Sequence, residues 1–237
     1  MTDEAVCVEP IARVHSCFKE KFGIPRQPGL VTHARAQIEI LPPYNRPEAF
    51  RGLENFSHLW ISFVFHKHLG EDWRPTVRPP RLGGNRRVGV FASRSTYRPN
   101  PLGLSVVTLD RIEAEGDRVV IHVSGIDLLD GTPVVDIKPY VPYVDAIPDA
   151  RGGFAPTPPD RRLSIAFTDT AERQIREREA AGLHDLRDLI TELLQLDPRP
   201  AYRSEETEAA EFGMRLYDFD LRWRVEGEQV TVIALVE

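Results

Sequence analysis

Residues 89–105 read GVFASRSTYRPNPLGLS, and the rest of the chain is organised around this stretch. The β-branched and apolar runs on either side predict a short strand at 87–91 and a longer one at 104–112. Between them, Pro99 and Pro101 hold their own φ near about −65° and keep the residue before each of them extended. The stretch therefore predicts a stiff loop between two strands.

This loop, residues 93–101, is called the central loop below, and it presents Arg94, Arg98 and Asn100. A stiff loop loses little entropy when it orders a ligand, and arginine is suited to bidentate capture of a carboxylate or phosphate. Solvated arginines on a well-made turn are the alternative interpretation. The clustering between prolines favours a binding role.

The charge of the chain is unevenly distributed. Its 237 residues carry a formal net charge of −6, but residues 73–109 hold seven arginines and no acidic residue, so the remainder carries −13. A basic patch on an acidic protein favours a polyanion bound locally, and a solvated basic face is the alternative. The seven are Arg74, Arg78, Arg81, Arg86, Arg87, Arg94 and Arg98.

Several classes of protein are disfavoured by the sequence. The acidic residues 1–5 precede no apolar run, and no stretch is long enough for a membrane span, which predicts a cytoplasmic protein. Cys7 and Cys17 form neither a CxxC pair nor a disulfide framework, and two cysteines alone make no zinc site. The Gly-rich dinucleotide fingerprint, the Walker motif and the G-x-S-x-G motif are absent from the sequence.

Seven or eight short strands are predicted in residues 1–150, separated by long proline and glycine loops and without a convincing helix. The fold class is therefore mainly β, with an antiparallel β-barrel as the natural architecture. Residues 59–65 are apolar on both faces, which predicts a strand buried on both sides. Further strands are predicted at 9–15, 37–41, 105–113, 118–124 and 134–140.

The composition changes after a proline- and glycine-rich linker at 151–161. Residues 162–237 predict a small α+β domain, with a strand at 163–167, a helical region at 171–196 broken near Gly182, and strands at 214–225 and 229–236.

Two other segments carry polar side chains on constrained backbone. Residues 19–29 present an arginine and a glutamine between prolines and glycines, as the central loop does. Asp127, Asp130 and Asp136 lie on a turn and the strand after it. These carboxylates could bind ligand hydroxyls or amines, or they could stabilise Asx turns.

Four runs together closely resemble the TsaA-like family: VGVFASRS at 88–95, RPNP at 98–101, DLLDGTPV at 127–134 and DIKPY at 136–140. The likeness extends to KF at 21–22, PRQ at 25–27 and DPRPAY at 197–202. It implies an S-adenosylmethionine-dependent tRNA methyltransferase that methylates the exocyclic N6 nitrogen of threonylcarbamoyl-adenosine beside the anticodon. It also implies a non-Rossmann β-barrel and a homodimer with the cofactor near the subunit interface.

The resemblance also implies a set of site residues, with no metal. Because the threonyl group of the implied acceptor carries a carboxylate, side-chain chemistry makes Arg98, Asn100 and Lys138 the substrate-side candidates, Arg199 and Tyr202 candidates to complete the pocket, and Asp136 a candidate base. The implied contacts to S-adenosylmethionine are Pro25, Arg26, Gln27, His66, Lys67, Arg94, Leu104, Asp127, Leu128, Asp130, Gly131, Thr132 and Pro133.

Two other functions compete with this one. His66 and His68 at alternate positions of a strand, with Glu71 nearby, could be ligands of a cupin-type metal enzyme. A non-catalytic RNA-binding module could instead use Tyr97 and Tyr140 as stacking platforms.

Overall fold

The computed structural model describes residues 6–160, 163–199 and 209–237. Eight strands precede residue 140 in this part of the chain, and six of them close an antiparallel barrel in the order β1-β2-β7-β6-β3-β8. The mainly β class and the barrel predicted from the sequence are confirmed. The strands are β1 (Ala12–Ser16), β2 (Arg35–Ile40), β3 (His58–Val64), β4 (Thr76–Val77), β5 (Val88–Gly89), β6 (Leu102–Glu115), β7 (Arg118–Ser124) and β8 (Pro133–Pro139).

Side chains of the barrel strands alternate between the core and the outer surface. In β3, Leu59, Ile61 and Phe63 are buried inside the barrel, whereas Trp60 and its outward neighbours are only half-buried. The prediction of a strand buried on both faces was wrong. A closed barrel leaves the outer face of each strand to solvent or to a partner, so apolar residues there do not imply burial.

Two local predictions near the central loop also need correction. The strand predicted at 87–91 is only β5, because a 3₁₀ turn at Val90–Ala92 follows it at once. β5 pairs with β4 in a two-stranded ribbon outside the barrel. A one-turn helix, α1 (Pro142–Asp145), lies in the region where no helix was predicted.

The C-terminal part forms a four-stranded sheet in the order β10-β11-β12-β9, with two helices packed on it. The helical region predicted at 171–196 does break around Gly182, which lies between the two helices. The single strand predicted at 214–225 is wrong, because a turn at 217–218 divides it into β10 and β11. The elements are β9 (Ser164–Phe167), α2 (Asp169–Ala180), α3 (Leu186–Gln195), β10 (Ala210–Leu216), β11 (Phe219–Glu226) and β12 (Gln229–Val236).

The sheet packs against the barrel beside the loop at 19–29. The Tyr217 amide donates a 2.8 Å hydrogen bond to the Cys17 carbonyl, and the Phe22 ring stacks on Trp223 at 6.2 Å. Buried residues of both parts belong to one continuous core. The C-terminal part therefore supports the base of a loop that carries predicted site residues.

Across the described ranges, no helix combines the length and the apolar character needed to cross a lipid bilayer.

Candidate cofactor and substrate site

Three segments that the sequence analysis singled out separately meet at one cluster. Arg94 of the central loop donates a hydrogen bond to the Gln27 side chain, and its charge acts on the Asp127 carboxylate. Ser105 at the start of β6 donates a 2.6 Å hydrogen bond to Asp127 Oδ1. Gln27, Arg94, Ser105 and Asp127 are called the arginine–carboxylate cluster below. Ser105 was missed by sequence reasoning, because only strand register shows that it faces inward.

Asp127 supplies the one carboxyl group of this cluster, and the surroundings shift its pKa upward. Burial raises its pKa to about 6, although the hydrogen bond from Ser105 and the positive charge of Arg94 act in the opposite direction. A buried carboxylate without full compensation gains from a ligand that brings hydroxyl or amine donors. The cluster thus has a carboxylate suited to such donors beside a guanidinium suited to an anion.

A close backbone approach brings the loops at 25–29 and 125–133 together. The Gly29 amide donates a 2.8 Å hydrogen bond to the Gly125 carbonyl. Gly125 has φ +73°, and a Cβ added there would lie 3.4 Å from the Gly29 Cα. A side chain at Gly125 would therefore be strained by the positive φ, and its Cβ would be in van der Waals contact with the other loop.

The Asp130 and Gly131 turn is bound to β1 and the loop after it. The Ser16 amide donates a 3.0 Å hydrogen bond to the Asp130 carboxylate, and Lys19 forms a 2.8 Å ion pair with the same side chain. Arg13 donates a 2.9 Å hydrogen bond to the Gly131 carbonyl. In this structure Asp130 holds the turn in place through long-range contacts to β1 and the loop after it, which is a structural role but not the local Asx turn considered from the sequence.

The remaining predicted residues of this turn contribute mainly to structure. The Leu128 side chain is buried in the core, and the Thr132 hydroxyl donates a 2.6 Å hydrogen bond to the Leu129 carbonyl. Pro133 begins β8 opposite Arg13. The buried Leu128 and Thr132 side chains leave mainly backbone groups to a ligand at those two positions.

His66 and Lys67 leave the barrel next to the central loop. They lie in a 3₁₀ turn, His66–His68, after β3, and the Phe65 amide donates a 2.7 Å hydrogen bond to the Pro101 carbonyl. Partial burial lowers the pKa of His66, and the charges of Lys67, Arg13 and Lys21 lower it further. The mouth of the barrel is therefore electropositive on this side.

The Arg98 side chain stabilises the central loop through hydrogen bonds to backbone carbonyls. Its Nη1 donates hydrogen bonds to the carbonyls of Ser93, at 2.7 Å, and Val90, at 3.3 Å. Asn100 is exposed, and its carbonyl accepts a 2.7 Å hydrogen bond from the Leu102 amide.

A small cavity of about 110 Å³ lies against the Arg98 side of the loop. It is lined by His68, Leu69, Gly70, Glu71, Thr96, Tyr97, Arg98, Pro99 and Pro101.

Leu104, Asp136 and Lys138 lie on the outer face of the barrel. Strand register places Leu104 and Asp136 on either side of Ser62, and Lys138 beside Trp60. Lys138 forms an ion pair with Asp136. The structure brings Leu104 close to Asp136, although Leu104 precedes Asp136 by 32 positions in the sequence.

Pro25 is buried, and the side chain of Arg26 points towards the C-terminal part. Partial burial lowers the pKa of Arg26, and the nearby Asp197 carboxylate opposes this shift. Asp197 also forms a 2.7 Å ion pair with Arg199, which is itself buried. The DPR motif at 197–199 therefore adjoins the PRQ motif at 25–27, while Tyr202 lies outside the described residues.

The geometry argues against the two competing interpretations. His66 and His68 lie in a 3₁₀ turn and not on a strand, so the alternation expected of a cupin-type site is wrong. Within the ranges that the structure describes, no group of three His, Cys, Asp or Glu residues could hold a metal ion. One face of Tyr97, a proposed stacking platform, is covered by the Arg74 guanidinium at 3.8 Å.

Relatives of known class share almost the whole chain. A tRNA (adenine(37)-N6)-methyltransferase from Escherichia coli strain K12 is 48% identical over 227 residues, which cover 96% of each protein. A putative S-adenosylmethionine-dependent methyltransferase, RcsF, from Pseudomonas aeruginosa is 50% identical over 216 residues, or 91% of each. Fold, site and relatives together define an S-adenosylmethionine-dependent methyltransferase built on a β-barrel.

Family models identify the particular group. The tRNA-methyltransferase O N-terminal domain matches residues 13–146, and the TrmO C-terminal domain matches residues 160–237. The crystal structure of TrmO from Pseudomonas aeruginosa superposes with a TM-score of 0.83 at 40% identity, covering 98% of this chain and 99% of that one. The chain belongs to the tRNA-methyltransferase O family.

Proposed function

We propose that this enzyme transfers a methyl group from S-adenosylmethionine to the N6 nitrogen of threonylcarbamoyl-adenosine next to the anticodon of tRNA. The observation that carries this proposal is the meeting of Gln27, Arg94 and Asp127 at the mouth of the barrel, contributed by three distant segments. The relatives' names supply the reaction class, and the cluster supplies a place for the cofactor.

The chemistry of the arginine–carboxylate cluster fits the cofactor. S-adenosylmethionine carries a carboxylate, an amine and a ribose diol, and when bound it supplies an electrophilic methyl group on sulfur. Arg94 suits the carboxylate, and Asp127 suits the amine or the diol. The backbone groups of residues 66–67 and 128–133 suit the edge of the adenine ring, since several of their side chains are engaged elsewhere.

The acceptor nucleotide gives the other basic residues a role. Its threonyl group carries a carboxylate, for which Arg98, Asn100 and Lys138 are the proposed partners. Arg98 is already oriented by the carbonyls of Ser93 and Val90. A preoriented guanidinium loses little entropy when it binds a carboxylate.

The contribution of the protein to the chemical step is mainly alignment. Methyl transfer needs the acceptor nitrogen in line with the bond that breaks. Holding both reactants in that geometry can lower the activation barrier by about 7 kcal/mol or more. The acceptor nitrogen is amide-like, so its proton must leave. Asp136 is the candidate base, and its ion pair with Lys138 keeps its carboxylate on the outer face beside Ser62.

A homodimer is part of this proposal, with the outer face of β3, β6 and β8 as the contact. Three large apolar side chains are exposed there or on the segment that follows: Leu104 is 52% exposed, Tyr143 is 89% exposed and Ile147 is 69% exposed. A groove of about 430 Å³ between Trp60 and Tyr140 lies on the same face. A second copy would cover this apolar surface close to Leu104 and thus close to the proposed cofactor contacts.

A cytoplasmic location is part of this proposal, because the proposed partner is a tRNA. The test is methyl transfer from labelled S-adenosylmethionine to two preparations of one tRNA, with either threonylcarbamoyl-adenosine or plain adenosine beside the anticodon. We expect label only on the first. Label on neither, with tRNA binding intact, would support the non-catalytic RNA-binding module instead.

A further inference from the structure

A two-stranded ribbon that projects from the barrel carries five of the arginines of the basic segment. Residues 74–89 contain β4, β5 and a 3₁₀ turn at Pro80–Leu82 between them, and most of their side chains are exposed. This segment, called the arginine ribbon, has no acidic residue and therefore a charge of +5. Its arginines are Arg74, Arg78, Arg81, Arg86 and Arg87.

These charges have no acidic partner within the part of the chain that the structure describes. None of the five forms an ion pair with a carboxylate of the described residues, and the partners of Arg81 and Arg87 are the neutral oxygens of Thr157 and Thr76. Arginines elsewhere commonly have acidic partners, as in the ion pairs Arg46–Glu48, Arg111–Glu113 and Arg224–Glu211. The ribbon thus concentrates uncompensated positive charge on one exposed element.

The base of the ribbon is fixed to the central loop. The Arg74 guanidinium lies 3.8 Å over the Tyr97 ring, and the Arg74 amide donates a 3.2 Å hydrogen bond to the Tyr97 carbonyl. At the other end, the Val90 amide donates a 3.1 Å hydrogen bond to the Pro75 carbonyl, and Val90 in turn accepts from Arg98. A polyanion held by the ribbon would therefore pass beside the proposed substrate residues.

We propose that the arginine ribbon binds the phosphate backbone of the tRNA stem next to the methylated nucleotide. This inference rests on the proposed function for the identity of the RNA. Guanidinium groups spread over one exposed segment can contact successive phosphates and read no base sequence. The ribbon therefore contributes affinity and orientation for many tRNAs, whereas the modified nucleotide is selected at the site itself.

The test is the triple variant Arg78→Gln/Arg81→Gln/Arg86→Gln, with the Kd for tRNA measured by fluorescence anisotropy across a series of KCl concentrations. Each lost phosphate contact lowers the magnitude of the slope of log K against log salt by about 0.7 on a single strand and by about 0.9 on duplex B-DNA. We expect a slope smaller by about 2 to 3, and a Kd weakened at least about tenfold at moderate salt. The affinity for S-adenosylmethionine and the kcat at saturating tRNA should stay unchanged.

Two controls separate local contacts from net charge and from folding. Arg46→Gln/Arg111→Gln/Arg224→Gln removes the same charge from positions that have acidic partners, and it should leave the slope unchanged. The variant Arg78→Lys/Arg81→Lys/Arg86→Lys should have the same slope as the unaltered protein, because lysine also binds phosphate. An unchanged slope in the glutamine variant, or an equal change in the control, would overturn the inference.

These readouts are independent of the proposed reaction. The unaltered enzyme could methylate neither tRNA preparation and yet bind tRNA with a salt dependence that the glutamine substitutions reduce. In that case the proposed function would fail, and the inference about the arginine ribbon would be supported. If methylation required threonylcarbamoyl-adenosine but the slope did not depend on the ribbon, only the ribbon inference would fail.

Discussion

Ser105 donates a 2.6 Å hydrogen bond to Asp127, and this bond joins the strand after the central loop to the turn that begins the DLLDGTPV run. Asp127 is partly buried, and burial raises its pKa to about 6 even with this bond. The carboxylate is therefore held in an unfavourable environment in the ligand-free protein. A ligand bringing donors to it would relieve that cost.

The first prediction concerns the pH dependence of stability. The pKa of Asp127 is higher in the folded protein than the ordinary value of about 3.9, so ionising it costs folding free energy as pH rises from about 4 through 6. We expect Asp127→Asn to be more stable than the unaltered, ligand-free protein at pH 7.5, by about 1 to 3 kcal/mol, with the difference disappearing near pH 4. Urea unfolding at several pH values measures this.

A matched control for that variant is Asp110→Asn, which removes an exposed carboxylate that also accepts a hydrogen bond from a serine, Ser124. A stability difference for Asp127→Asn that is the same at pH 4 and pH 7.5 would contradict the prediction.

The second prediction concerns the cofactor. Arg94→Ala removes the guanidinium that contacts Gln27 and faces Asp127, and with it the proposed charge-assisted contact to the cofactor carboxylate. Such contacts contribute about 1.5 to 3 kcal/mol, so the Kd for S-adenosylmethionine should rise about 10- to 100-fold in calorimetry. Arg118→Ala, at an exposed position where β7 begins, should leave the Kd unchanged.

The third prediction isolates the contact between two loops. Gly125→Ala and Gly116→Ala both place a side chain at positive φ, +73° and +56°, but only the Cβ at Gly125 meets another loop, at the Gly29 Cα. A left-handed conformation costs a residue with a side chain about 1 to 2 kcal/mol in both variants. We expect cofactor affinity to fall only in Gly125→Ala. Equal cofactor affinity in the two variants would show that the contact does not position the site.

The fourth prediction concerns the substrate side. Lys138 is paired with Asp136 on the outer barrel face, and it is proposed to contact the threonyl carboxylate of the acceptor. Lys138→Ala should raise KM for the modified tRNA about tenfold with little change in kcat. Asp136→Asn should instead lower kcat, by about 100-fold if the carboxylate takes the proton. Steady-state kinetics distinguish the two, and full turnover in Asp136→Asn would remove it as the base.

The fifth prediction concerns assembly. Tyr143→Asp combined with Ile147→Asp places two charges on the exposed apolar surface beside the outer barrel face, where a desolvated charge opposes association. We expect the unaltered protein to sediment as a dimer and this variant as a monomer. Val8→Asp, at another exposed apolar position, is the control. A dimer that survives the double substitution would locate the interface elsewhere.

Local pattern was enough to predict several elements of this protein. β7 and β12 were both predicted with their exact bounds, because β-branched runs between turn residues have few alternatives to a strand. The break around Gly182 follows in the same way, since glycine is a poor helix former. The prolines of the central loop likewise predicted its stiffness, and its arginines predicted its positive charge.

Features that depend on distant contacts were not predictable. The turn between β10 and β11 contains neither glycine nor proline, and Tyr217 adopts φ +52° where its amide bonds to the Cys17 carbonyl in the barrel. Local propensity carries no sign of such a contact. The same reason explains the incorrect prediction for β3, whose outer face is exposed only because the sheet closes into a barrel.

The amino-acid sequence by itself determined most of the strands, which loops are stiff and where positive charge is concentrated, because these follow from φ preferences, side-chain branching and charge along the chain. Only the tertiary structure decided that Gln27, Arg94 and Asp127 meet, and that Leu104 lies in register with Ser62 and Asp136. Barrel closure sets those neighbours through strand register, which depends on pairing between residues far apart in the chain.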